Sequence, residues 1–175
     1  EFIVPQDGHE KQDCERAATK RWIEQYGARY AAFKATLLGD DLYCNQPLCE
    51  QVLEKKLNFI FVCKPDSHPE LYQMVAFLDA NGQVEQFSER IWKGKYAEIR
   101  TYRFVNTVPL RAGADALKVN WCELTIQNET TKKITYRNAW ATQHEISHAT
   151  VKAIVQAGRT RWKVENENNN VLKTK

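Results

Sequence analysis

Two carboxylates, Asp40 and Asp41, close the apolar phrase "AAFKATLLGDD", and a third, Glu165, stands far downstream in the basic segment "GRTRWKVENE". An Asp at the carbonyl end of a strand and a Glu on a helix among arginines are hard oxygen donors of the kind that a divalent-metal phosphoryl-transfer site needs. Each half also has a plainer reading, because an Asp after a strand commonly serves a turn and a Glu in a polar helix is commonly solvated. Asp40 is the expected ligand, since it directly follows the strand through Gly39; Asp41 is the substitute, and its plain role is a turn or helix-cap residue. Arg161 lies one helical turn before Glu165 on the same face, so its planar guanidinium can orient the carboxylate and meet a phosphate. Arg159, Lys163 and Lys173 add cations suited to salt-sensitive contacts with a DNA backbone.

The chain that must position these groups has 175 residues, 43% of them hydrophobic, which suffices for one domain, or for one core plus an insertion. A net charge of +3 means that attraction to nucleic acid has to come from local clustering, as in the run from Arg159 to Lys175. Five cysteines form an odd set without a compact disulfide pattern, which points to a reducing, intracellular setting, and neither a signal sequence nor a membrane span is visible. Cys44 and Cys49 have no matching second pair, and His144 and His148, one helical turn apart, lack the glutamate of an HExxH motif. Zinc is therefore only weakly signalled by spacing.

Helical spacing of Cys14, Ala17, Ala18, Trp22 and Tyr26 predicts a helix from Asp13, as N-cap, to about Gln25, with Gly27 as terminator. "AAFKATLL" reads as a buried strand opening at Asp40, with a helix over Ala31 to Leu38 as its competitor. Pro47 can start a helix running to about Lys56, and Leu57 to Cys63 is rich in aromatic and β-branched residues, so strand, helix and strand make a βαβ unit. Ligands gather at the carbonyl ends of such strands. Residues 83–142 alternate as antiparallel strands; the parity change from Leu117, Val119 and Trp121 to Leu124 and Ile126 suggests a bulge near Cys122, and Asn128 to Thr131 a turn. His148, Val151, Ile154 and Val155 form a helical stripe ending near Gly158, after which a second helix carries Arg161, Glu165 and Lys173. The tryptophans Trp22, Trp92, Trp121, Trp140 and Trp162 read as core residues ahead of base-stacking ones.

This order of parts resembles the catalytic region of bacterial insertion-sequence transposases, the DDE group with an RNase H-like fold. "LLGDDLYCNQPLCE" is similar to the strand with the second catalytic Asp, "FIFVCKPDSH" to the following core strand, and "GRTRWKVENENNNVLK" to the helix with the catalytic Glu. The subgroup signature is Tyr, two residues, Arg, three residues, Glu, six residues, Lys. Arg161 and Glu165 match it, whereas Gly158 stands at the Tyr position and Leu172 at the Lys position, with Lys173 one residue late.

The resemblance implies an α/β protein with an RNase H-like core incomplete at its N-terminus: a partial core over 1–82, a β-rich insertion over 83–142 and core helices over 143–175. It implies metal-dependent DNA strand cleavage and transfer in cut-and-paste transposition. Asp40 and Glu165 would be the catalytic metal ligands, holding two Mg²⁺ ions, or Mn²⁺ in their place, about 4 Å apart. The partners implied are double-stranded transposon ends and target DNA, and a second copy of the chain in a homodimer, with no membrane. The location implied is the bacterial cytoplasm, at the nucleoid when DNA is bound. The family's first catalytic Asp is expected upstream of Glu1, because Asp7 sits between Pro5 and Gly8 in a loop-like phrase and Asp13 reads as a cap. One alternative is a catalytically inactive DNA-binding remnant of a transposase. Another is an unrelated α+β interaction module with Asp40 in a turn and Glu165 solvated.

Overall fold

The computed structural model describes residues 15–163. Helix α1 spans Glu15–Ala31, strand β1 Thr36–Gly39, helix α2 Gln46–Glu54, strand β2 Asn58–Val62 and helix α3 Pro69–Ala80. Strands β3 (Glu85–Trp92), β4 (Ala97–Pro109), β5 (Lys118–Asn128) and β6 (Ile134–Thr142) follow, and helix α4 covers Val151–Lys163. The strands form one sheet in the order β1-β2-β6-β5-β4-β3, in which only β1 and β2 are parallel. The β-rich segment is thus bonded to the βαβ unit through β6 and β2, and the molecule is mixed α/β around a mostly antiparallel sheet.

Strand alternation explains why both faces of this sheet are covered. On one face Phe59, Phe61, Val119 and Trp121 pack with Ile23 of α1, Leu48 and Val52 of α2, and Leu71 and Val75 of α3. On the other, Ile60, Val62, Cys122, Leu124 and Trp140 pack with Val151, Ile154 and Val155 of α4. Each fully buried Leu, Val or Phe contributes about 1.5–3 kcal/mol of hydrophobic stabilisation.

The same two-faced burial corrects the bulge expected near Cys122. The β5 register runs unbroken there, with Trp121, Cys122 and Glu123 opposite Val105, Phe104 and Arg103. The parity change marks where burial passes from one face of the strand to the other. One irregularity lies in the facing strand between Val105 and Val108, where Thr107 takes φ 63° and its N–H donates to Asn120 Oδ1 at 3.0 Å, and another between Ile126 and Gln127 where β5 pairs with β6. The turn after Asn128 forms as expected, with Asn128 Oδ1 accepting from Thr130 N and Thr131 N, both at 2.9 Å.

Two glycines read as helix terminators lie inside helices. α1 continues through Gly27, where an added Cβ would sit 3.0 Å from Lys55 Cγ, so the missing side chain admits the end of α2. α4 continues through Gly158, where a Cβ would sit 2.5 Å from Trp140 Nε1, so the helix runs unbroken to Lys163 where a stop was expected. Ala31 belongs to α1, and a turn with Lys34 at φ 51° separates it from β1, which is therefore shorter than the apolar run suggested. Asn45 caps α2 by accepting from Leu48 N at 3.2 Å, with Pro47 in the first turn as expected.

Candidate active site

At the carbonyl end of β1, Gly39 lets two aromatic side chains close over the strand: a Cβ there would lie 2.8 Å from Phe61 Cδ1 and 2.9 Å from Tyr43 Cβ. The chain then turns through Asp40, whose Oδ1 accepts from Leu42 N at 3.0 Å, a local bond between residues i and i+2 that leaves the carboxylate half-exposed. Its neighbour behaves differently. Asp41 Oδ1 accepts from Lys64 N at 2.7 Å, Asp41 Oδ2 accepts from the Ser67 hydroxyl, and Oδ1 lies 3.6 Å from His68 Nε2. Asp41 therefore ties the β1–α2 loop to the β2–α3 loop, a long-range role in place of the turn or helix cap expected of it, while Asp40 makes the local turn contact and presents an oxygen donor at the strand end.

Helix α4 approaches the same end of the sheet. Near its start Thr150 and Ala153 share a cavity of about 540 Å³ with Thr36, Leu38 and His144, at the opposite end of β1. Further along, Gly158 rests on Trp140, which pairs with Val62 at the end of β2. Arg159 and Arg161 line a cavity of about 310 Å³ with Val62, Tyr136 and Asn138. The helix thus runs toward the carbonyl ends of β1 and β2. The Arg159 guanidinium lies 4.6 Å from the centre of the Tyr136 ring, a cation–π contact that fixes part of its side chain. Lys163 is the last residue of α4, and Glu165 and Lys173 lie outside the described residues.

The spacing of His144 and His148 does not become a pair of facing ligands. Both precede α4: His144 Nε2 lies 2.9 Å from Thr36 Oγ1, whereas His148 Nε2 lies 2.9 Å from Glu85 Oε2. Burial holds His144 below the usual histidine range.

A group that spacing did not single out sits beside Asp41. Cys44, Cys63 and His68 are all buried, and a potential ligand atom from each lies within 4.8 Å of the others. Among the described residues this is the one such group of three. The hydrogen bond with Cys63, together with burial, pushes the Cys44 thiol well above its usual range. Burial pulls His68 down, but contact with Cys44 and the charges of Cys44 and Asp41 outweigh it and leave the imidazole above its ordinary value. Cys49, the nearest cysteine to Cys44 in the sequence, is buried in the core on the inner side of α2. The usable signal was Cys63 and His68 with four residues between them, flanking the loop that faces Cys44.

As a metal site for magnesium, the described residues supply Asp40 as the available hard oxygen donor, with Asp41 committed to backbone and hydroxyl donors. The thiol–imidazole group has softer chemistry and suits a different ion. Compared with protein-family models the chain matches none, and it matches no curated protein.

Proposed function

We propose that this chain carries part of the catalytic core of a DDE transposase, with an RNase H-like arrangement, and acts in metal-dependent DNA strand cleavage and transfer. The observation that carries the reading is the convergence of a parallel β1–α2–β2 unit, Asp40 at its carbonyl end, and a helix bearing Arg161 that runs toward that end. β1 is the outermost strand of the described sheet, so a further strand can add beside it and bring another carboxylate next to Asp40.

In this reading Asp40 and Glu165 hold two Mg²⁺ ions, which when bound activate the attacking oxygen and stabilise the leaving one. The rest is work for the chain itself. Gly39 and the Leu42 N–H fix the direction of the Asp40 carboxylate. Arg161 orients a phosphate through its planar fork, and Arg159, Lys163 and Lys173 draw the DNA backbone toward the same end. The substrates are transposon ends and target DNA, engaged by a homodimer. No helix among the described residues is long and apolar enough to cross a membrane.

Mn²⁺ binding followed by electron paramagnetic resonance on the full-length protein tests this reading. Asp40→Asn and Glu165→Gln should each abolish the bound-Mn²⁺ signal, and Asp41→Asn should retain it. Binding that survives both of the first two substitutions would sink it. DNA binding with a steep salt dependence but no carboxylate-dependent metal would instead favour the catalytically inactive remnant.

A further inference from the structure

We propose that Cys44, Cys63 and His68, with Asp41 as the acidic partner of the histidine, form a zinc site that locks the loop carrying Asp40 to the loop between β2 and α3. The three potential ligand atoms already lie within 4.8 Å of one another. Tetrahedral zinc, with bonds of about 2.3 Å to sulfur and about 2.0 Å to nitrogen, places its ligands about 3.3–3.8 Å apart. Closing the group therefore requires a contraction of no more than about 1.5 Å, within reach of side-chain adjustment in two loops. The donor set is the borderline-soft one that selects zinc over magnesium.

A second observation comes from the histidine itself. His68 is only 6% exposed, yet its Nε2 has no hydrogen-bond partner and lies 3.6 Å from Asp41 Oδ1. A buried polar atom without a partner is rare in a folded protein and needs a physical reason. A metal ion bound at Nε2 satisfies the imidazole, and Asp41, whose Oδ1 lies beside that same nitrogen, supplies negative charge next to the ion to balance it. The Asp41 carboxylate is held in place for that task by Lys64 N and Ser67.

The consequence is positional. Asp41 and Cys44 follow Asp40 within four residues, so an ion gripping them on one side and Cys63 and His68 on the other fixes the backbone that aims Asp40. Only that last step rests on the transposase reading; the ion-binding group does not.

The test is zinc content of the reduced full-length protein by plasma mass spectrometry, together with Co²⁺ titration followed by visible absorption. Expected are a single zinc per chain and, with Co²⁺, thiolate charge-transfer and tetrahedral d–d bands. Cys44→Ser and His68→Gln should lose both, whereas Cys49→Ser and Cys122→Ser, buried but outside the group, should keep them. Asp41→Asn should weaken binding about tenfold to a hundredfold. The Co²⁺ spectrum of the unaltered protein stands whether or not the variants fold. Absence of those bands, zinc retained in Cys44→Ser, or a Cys44–Cys63 disulfide as the native state would each overturn the proposal. Zinc stoichiometry reads this site even where Mn²⁺ binding at Asp40 fails, so the two readings fail separately.

Discussion

The two ends of the β1–β2 pair are built to different standards. At the end near Thr36, polar groups find partners. Thr36 Oγ1 meets His144 Nε2, Asn58 Oδ1 accepts from Gln143 N at 3.3 Å, Thr142 Oγ1 donates to Phe59 O at 2.6 Å, and Asn120 Nδ2 donates to His144 O at 2.9 Å. At the carbonyl end, the chain gathers two thiols, an imidazole and two carboxylates and leaves His68 Nε2 and Trp140 Nε1 buried without partners. Satisfied polar groups hold a fold together; of the buried side-chain polar atoms without a partner among the described residues, His68 Nε2 and Trp140 Nε1 lie at this end while Arg100 Nε and Trp121 Nε1 lie on β4 and β5, so the gathering of ligand-type side chains is what sets this end apart. The contrast separates scaffold from site without reference to any relative.

The largest expected effect breaks the carbonyl end outright. Gly158→Val forces side-chain atoms into the Trp140 ring, and should cost about 3 kcal/mol or more by urea denaturation. A cost under about 1 kcal/mol would mean that α4 can lift off Trp140. Next comes the pair of carboxylates. Asp41→Ala, which removes the acceptor for Lys64 N and Ser67, should cost about 1–3 kcal/mol, while Asp40→Asn should change stability by less than about 0.5 kcal/mol. Equal losses would erase the division of labour between the two residues.

At the opposite end, Asn58→Ala should cost about 1 kcal/mol by removing the side-chain oxygen that accepts from Phe59 N and Gln143 N. The smallest effect is that of pH. Because burial lowers the folded-state value of His144 below 6.5, the fold favours its neutral form. That contribution is present above 6.5 and is lost as pH falls through the lowered value. Comparing urea midpoints from about pH 8 to pH 5 should show a shallower decline in His144→Gln. An unchanged slope would remove His144 from the account.

Much of the fold was legible in patterns tied to backbone geometry. The βαβ unit followed from Pro47 as a helix start and the aromatic and β-branched run from Leu57 to Cys63, and Asn128 announced its turn, because periodicity and turn chemistry are local. Glycine misled. At Gly27 and Gly158 the sequence shows an absent side chain but not the Lys55 or Trp140 that needs the space, and only tertiary packing distinguishes a helix stop from a close crossing. Cys44 misled for the same reason: its neighbour in sequence is Cys49, its neighbours in space are Cys63 and His68, and the loop geometry joining them has no period to read. Asp40 at a strand end was legible, whereas the commitment of Asp41 to Lys64 and Ser67 required the fold.

The seam between β2 and β6 joins parts of the chain that lie far apart, as the Thr142–Phe59 bond spans 83 residues. Strands β3 to β6, by contrast, pair only with sequential neighbours on the other side of that seam. Closing a long loop costs more chain entropy than zipping hairpins, so the meander can assemble early and then serve as the template on which the βαβ unit docks. Refolding kinetics should then show substitutions within β4 and β5 slowing folding, while those at the Phe59–Thr142 contact mainly speed unfolding.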